Sequence, residues 1–358
     1  MQVDFRCFQN GDCYSDELLV FLKRLFQDID KEKWVWEYCN APNGSLVILT
    51  YCNKEIVGHY ASLDYKFNML GRVVDAGKAE GSLVDLRTLV KMKVVDANEV
   101  FSNSVKHFLA QKESEGCELI FGFPNAAALP AQNRAGYQKI DVSIQNALFF
   151  RNLAHFRQWK FPFSGMVASL LDMVWAFRAS IACLRWQNGR TRIVNIGDVP
   201  SHDLDEFNRS FAQTYPEIIT IHRSRDFYKW RFVDNPYTES RVLAVKDQSN
   251  NIIGVGAFSR RLDGTGTIEI QDLLALDIVA LRRLIKVGLG WARECDAAGV
   301  ELWVGDHPFH ELVRSCLKEV GFLFGKRQEK RMIIWQKLWD ERVVDARNWY
   351  VTMAFRRF

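Results

Sequence analysis

A carboxylate, an ammonium group and a glycine crowd together in KAEGSLVD (78–85), where Glu80 stands two residues from Lys78 and directly before Gly81. On a strand, positions two apart share a face. Glu80 could serve as a general base beside a ligand that the bare backbone of Gly81 lets approach. It could equally be one half of an ion pair with Lys78, and Lys78 could instead meet a phosphate. His59 follows Gly58 in IVGHYA (56–61). Its imidazole titrates near neutrality and suits proton transfer or a hydroxyl contact; the alternative is a histidine satisfied within its strand. WVGDHPFHE (303–311) gathers Asp306, His307 and His310. His-x-x-His suggests a metal, but no second ligand pair supports one, and none is expected. Asp306 could cap a helix, or Asp306 and His307 could line a cleft between the halves of the chain.

The elements that must carry these residues come in duplicate. WEYCNAP (36–42) returns as WRFVDNP (230–236). Each copy precedes a hairpin pattern of alternating apolar residues around an Asn-containing turn, with Gly58 in one half and Gly254 in the other. Each hairpin is followed by a strand and then a helical run, 97–113 and 278–295, with apolar residues at helical spacing. Gly116 and Gly299 read as the C-caps of those helices. ELIFG and ELWVG follow as short buried strands, then a second helix ending in a Gly-aromatic pair, RAGY (134–137) or EVGF (319–322). A strand-helix-strand crossover beside a hairpin predicts an α/β fold with a mixed, mostly antiparallel sheet flanked by helices, built twice. The expected domains are 1–150 and 191–358, joined by an aromatic-rich helical connector at 151–190.

Composition agrees with a globular chain of about two domains: 358 residues, 48% hydrophobic and 25% charged. A net charge of +4 without any block of like charges argues against a nucleic-acid-binding arm. The eight cysteines are scattered and form no CxxC pair, which reads as reduced packing residues in a cytoplasmic protein. The first residues have no basic-then-apolar signal pattern. The most apolar run, 163–186, contains Asp172, Arg178 and Arg185 and reads as a buried or interfacial helix, not a membrane span.

This order of elements resembles a tandem pair from the GNAT superfamily of acyl-CoA-dependent N-acyltransferases. WEYCNAP and WRFVDNP, the IVGHYA and IIGVGA strands, and GFPNAAALPAQNRAGY (122–137) carry the resemblance. With GKAEGSLVD (77–85) they look most like the members that acylate amino sugars during bacterial surface-polysaccharide synthesis. The resemblance implies acyl-CoA as co-substrate and a dTDP- or UDP-linked aminodideoxyhexose as acceptor of a 3-hydroxybutanoyl or acetyl group. A homodimer would suit an aromatic-rich chain of this kind. Other acceptors compatible with the architecture are a peptide or lipid amine; a catalytically inactive binding module is the non-enzymatic alternative.

The resemblance also distributes roles. A backbone N–H around Ser82, Leu83 and Val84 would meet the oxyanion. Asn125 would bond the pantetheine chain or cap the following helix. The family's pyrophosphate turn is Gly-rich and opens the central helix, yet neither LRTLVKMKVVDAN (86–98) nor LALDI (274–278) contains glycine. The first is longer and carries Arg87, Lys91 and Lys93, and Asp96 or Asn98 could cap the helix. CoA binding is therefore assigned to the first half, with Arg87 and Asn98 as contacts. Gln132 stands where many relatives keep a tyrosine acid, and Leu317 stands there in the second half. Trp36 could stack on a nucleotide base, although its repetition as Trp230 favours a place in the core.

Overall fold

The computed structural model describes residues 3–24, 29–93, 96–150, 164–186, 191–261 and 266–355. The strands are β1 (Val3–Gln9), β2 (Ser45–Cys52), β3 (Glu55–Met69), β4 (Arg72–Val84), β5 (Leu119–Gly122), β6 (Gln138–Phe150), β7 (Arg192–Asn195), β8 (Ile219–Ile221), β9 (Thr238–Lys246), β10 (Ile252–Arg261), β11 (Thr267–Ala275), β12 (Gly299–Val304), β13 (Leu323–Phe324) and β14 (Gln328–Gln336). The α-helices are α1 (Asp16–Lys23), α2 (Lys31–Trp34), α3 (Leu86–Lys91), α4 (Ala97–Ser114), α5 (Leu129–Arg134), α6 (Ser164–Arg185), α7 (Ser201–Thr214), α8 (Arg225–Tyr228), α9 (Ile278–Glu294), α10 (Pro308–Val320) and α11 (Glu341–Val344). Of the expected connector, 151–163 and 187–190 lie outside the described residues.

Two compact units emerge, and they do not follow the halves of the chain. Unit 1 comprises Met1–Val142 and Lys330–Ala346; unit 2 comprises Ser143–Glu329 and Arg347–Phe358. Each half therefore gives part of its last strands to the other unit. Unit 1 has the strand order β1-β2-β3-β4-β5-β14. Its neighbours run antiparallel except β4 and β5, which are parallel as a crossover through α4 requires. Phe101, Val105 and Phe108 of α4 pack on Leu46, Ile48, Tyr60 and Ile120. Unit 2 repeats the plan, in the order β7-β9-β10-β11-β12-β6, with β11 and β12 parallel. Apolar residues of α9, among them Leu281, Leu284 and Trp291, are buried.

The duplicated aromatic stretch is a π-helix in both units. Val35–Cys39 continues from α2, and Lys229–Val233 continues from α8. The N–H of Asn40 donates to the Val35 carbonyl (2.9 Å), and that of Asp234 to the Lys229 carbonyl (2.8 Å). These five-residue bonds widen the helix by one residue. They bury Trp36 and Tyr38 in one unit and Trp230 and Phe232 in the other.

One expected cap is not a cap. Gly116 follows α4 with φ +85°, as a C-terminal glycine should. Gly299 instead opens β12, and Asp296, with φ +49°, takes the left-handed place after α9. The reason for glycine at 299 is the neighbouring strand: a Cβ there would stand 2.4 Å from the Phe149 carbonyl oxygen. Because that obstacle is paired backbone, Gly299→Ala is expected to destabilise the protein by about 3 kcal/mol, the upper end of ordinary overpacking, read as a lowered denaturation midpoint.

Candidate active site

The central strand of unit 1 is broken at one place. Register runs Gly58↔Val84 and His59↔Leu83, then resumes at Ala61↔Glu80. Tyr60 thus faces two residues, Gly81 and Ser82, which is a β-bulge on β4. Gly81 has φ +60°, a conformation other residues rarely adopt. A Cβ there would also come within 3.1 Å of both His59 Cε1 and the Tyr38 hydroxyl. The parallel pairing of β4 with β5 ends just before the bulge, at Ala79↔Gly122. Past that pair the two strands no longer share a ladder.

His59, Lys78 and Glu80 are brought to one face by this register. His59 lies 1% exposed, and its Nδ1 stands 2.7 Å from the Gly81 carbonyl oxygen. A carbonyl only accepts, so Nδ1 carries the proton, and Nε2 is the basic nitrogen of the neutral ring. The ring sits edge-on to Trp34 and Tyr38, with centroids 5.8 and 6.2 Å away. Lys78 and Glu80 are both buried and form an ion pair.

The opposite face holds a polar cluster of which the sequence reading singled out Gln132 but not Tyr60 or Tyr137. Tyr60 donates to the Tyr137 hydroxyl (3.0 Å) and accepts from Gln132 Nε2 (3.4 Å). Burial pushes the Tyr60 phenol up to about 12, so it stays a proton donor across the physiological range. Burial raises the Tyr137 phenol as well. Strand alternation could have signalled the cluster, because Tyr60 must point away from His59 towards the helix side where Gln132 and Tyr137 lie.

The remaining positions are placed as follows. Ser82, Leu83 and Val84 are half-buried at the end of β4. Asn125 accepts from the Ala128 N–H (2.8 Å), the capping geometry. Trp36, 4% exposed like Trp230, is a core ring. The supposed loop 86–98 contains α3, which carries Arg87 and Lys91 exposed, and Lys93 is exposed just beyond it. Asp96 caps α4, accepting from the N–H groups of Asn98 (2.8 Å) and Glu99 (3.1 Å); Asn98 is an exposed residue of the first turn. Asp277 caps α9 in unit 2 through the Ala280 N–H (2.7 Å). Both central helices therefore already hold a carboxylate at the end where a helix attracts anions.

In unit 2 the counterpart of Glu80 is Asp272, which faces Ala257 as Glu80 faces Ala61. It is fully buried and gripped by Arg223 through two bonds, Nε to Oδ2 (2.8 Å) and Nη2 to Oδ1 (2.9 Å). Tyr228 (3.1 Å) and Thr352 (3.2 Å) also donate to it. Removing one partner from such a pair typically costs about 3–5 kcal/mol. This acid is a structural anchor.

Asp306 and His307 belong to unit 2. Asp306 pairs with Arg327 (3.2 Å) and does not cap α10. His307 is the cap: its Nδ1 accepts from the Phe309 N–H (3.2 Å). His310 Nδ1 accepts from the Gly305 N–H (3.0 Å). Both rings are held neutral by burial, His307 down to about 4 and His310 well below the usual imidazole value. Among the described residues no group of three metal-ligating side chains stands together. Because the folded pKa of His307 lies below its unfolded value of about 6.5, its contribution is intact above that pH and is lost as pH falls towards about 4. Chemical denaturation across this window is expected to show falling stability, and His307→Asn, which keeps a capping acceptor, to flatten the fall.

No protein-family model and no curated protein matches the chain. Solved structures do match. The GCN5-related N-acetyltransferase of Kribbella flavida aligns with a TM-score of 0.59 at 14% identity, over 93% of this chain and 71% of its own. That of Anabaena variabilis gives 0.56 at 13%, over 92% and 72%. A tandem GNAT protein from the clavulanic acid biosynthesis pathway gives 0.50 at 10%, over 94% of this chain and 98% of its own. At such identities the likeness is one of fold: the chain carries the GCN5-related N-acetyltransferase fold twice, as two mixed α/β units in tandem.

Proposed function

We propose that the protein is an acyl-CoA-dependent N-acyltransferase whose chemistry resides in unit 1. The observation that carries this reading is the Gly81–Ser82 bulge, tied to His59 and located where β4 leaves β5. A bulge takes backbone out of the ladder, so an N–H around Ser82 to Val84 can meet an oxyanion. The acceptor amine attacks the thioester carbonyl, the C–N bond forms, and the C–S bond breaks. The proton lost by the amine passes to His59, or through Glu80, which shares its face. The thiolate departs as such or takes a proton from water, being stable near a thiol pKa of about 8.5, and the proton taken from the amine returns to solvent. Unit 2 offers no equivalent freedom, because Asp272 is locked by Arg223.

The acceptor in this reading is the amine of a dTDP- or UDP-linked aminodideoxyhexose, and the acyl group is 3-hydroxybutanoyl or acetyl. The support is the resemblance carried by WEYCNAP, GKAEGSLVD and GFPNA. Arg87, with Lys91 and Lys93, supplies cations for the CoA phosphates, and Asn98 and Asn125 supply polar contacts. A second reading, a non-catalytic binding module, draws on Asp96 and Asp277, which occupy the helix ends where a pyrophosphate would dock.

Mass spectrometry of products after mixing the protein with acetyl-CoA or 3-hydroxybutanoyl-CoA and a panel of dTDP- and UDP-amino sugars separates the readings. An acylated sugar is expected. His59→Asn and Glu80→Gln should each lower turnover by about 100-fold or more, the scale of a lost general base; Glu80→Gln, which removes one partner of a buried ion pair, should lower the melting temperature as well. No product, together with no thermal protection by CoA, would leave the binding module as the surviving reading.

A further inference from the structure

Helix α6 presents an apolar stripe that is exposed among the described residues. Met173, Phe177 and Leu184 are 61%, 67% and 83% exposed. With Ser180 they recur at intervals of four, three and four residues, which places them along one side of the helix. The other side is docked: Trp186 is buried and donates to Glu319 (2.6 Å), and Arg178 donates to the Lys318 carbonyl (3.0 Å). No helix among the described residues is long and apolar enough to cross a membrane.

Beside the stripe, between α6 and α9, lies an apolar crevice of about 300 Å³, walled by Phe149, Cys183, Leu289 and Gly290. Its only charged lining groups among the described residues are Lys286 and Arg293, both cationic. Gly290 is the telling residue. Glycine inside a helix is unfavourable, and at Gly288 packing explains it, because a Cβ would stand 2.8 Å from Phe258. At Gly290 a Cβ would meet nothing within 4 Å. That position is open towards the crevice, and packing does not require glycine there.

We infer that this face is a docking site for an anionic lipid at a bilayer surface, with one acyl chain in the crevice and the headgroup on Lys286 and Arg293. The apolar stripe would rest in the same interface, with Arg178 and Arg185 along its other flank. The volume matches the lower end of small-molecule sites. The charge selects the occupant: cations on both flanks oppose a second copy of this face and favour an anionic surface. The inference stands independently of the acyl-transfer reading.

Sedimentation with vesicles tests it directly. The full chain should sediment with equimolar phosphatidylcholine and phosphatidylglycerol and remain in solution with phosphatidylcholine alone. Lys286→Glu combined with Arg293→Glu should weaken anionic-vesicle binding by about thirtyfold or more, at roughly fivefold per lost cation. Gly290→Leu fills the crevice and improves helix propensity, so it should melt no lower than the parent and yet bind vesicles weakly. Phe177→Asp should do the same. Equal binding to both vesicle types, or parental binding by Gly290→Leu, would overturn the assignment. So would light scattering that shows a dimer in the parent and a monomer in Phe177→Asp, which would make the stripe a contact between copies.

Discussion

The single bond from His59 Nδ1 to the Gly81 carbonyl holds together most of what unit 1 can do. It spans a bulge, and the bulge decides which side chains share a face. Without the extra residue, Ala61 would face Gly81, and Glu80 would turn to the side of Tyr60. With it, Ala61 faces Glu80, and His59, Lys78 and Glu80 stand together. The same irregularity leaves Tyr60 opposite both Gly81 and Ser82. Glycine at 81 is required twice over, by its positive φ and by the closeness of the histidine ring and the Tyr38 hydroxyl.

The second unit shows what the same architecture becomes when its acid is used for stability. Asp272 has the position of Glu80 relative to the neighbouring strand. Its oxygens are bound by Arg223, Tyr228 and Thr352, with Arg223 also held by Thr220 and the Ile221 carbonyl. A buried carboxylate so fully paired is a poor proton acceptor, because accepting a proton would sever charge-assisted bonds in a medium of low polarity. Unit 1 keeps a smaller ion pair, Lys78 with Glu80, at the corresponding place.

Much of the fold was legible because duplication doubles every weak signal. The hairpins, the central helices and the Gly-aromatic pairs lie where their periodicity puts them. The aromatic repeat was visible, but its π-helical form was not, since nothing in WEYCNAP distinguishes a five-residue from a four-residue bond. Gly299 misled for a physical reason: glycine after a helix suggests a cap, but this glycine answers to a neighbouring strand distant in sequence. His307 displaced Asp306 as a cap because Pro308 at the first helical position sets the boundary one residue later. At the site, Glu80, His59 and Lys78 stood out by type and spacing. Tyr60, Tyr137 and Arg223 did not, because their partners come from far along the chain.

The exchange of chain segments between the units has a bearing on biosynthesis. Unit 1 contains the first 142 residues and also Lys330–Ala346, whose strand β14 covers the open edge of β5. A ribosome delivers the chain from its beginning, and domains ordinarily fold as they emerge. Here the first unit keeps one sheet edge bare until Lys330–Ala346 has been made. An uncovered edge invites pairing with other chains. The later arrival of Lys330–Ala346 thus governs when residues 1–142 become safe from aggregation, and it ties the two units into one event of maturation despite their separate cores.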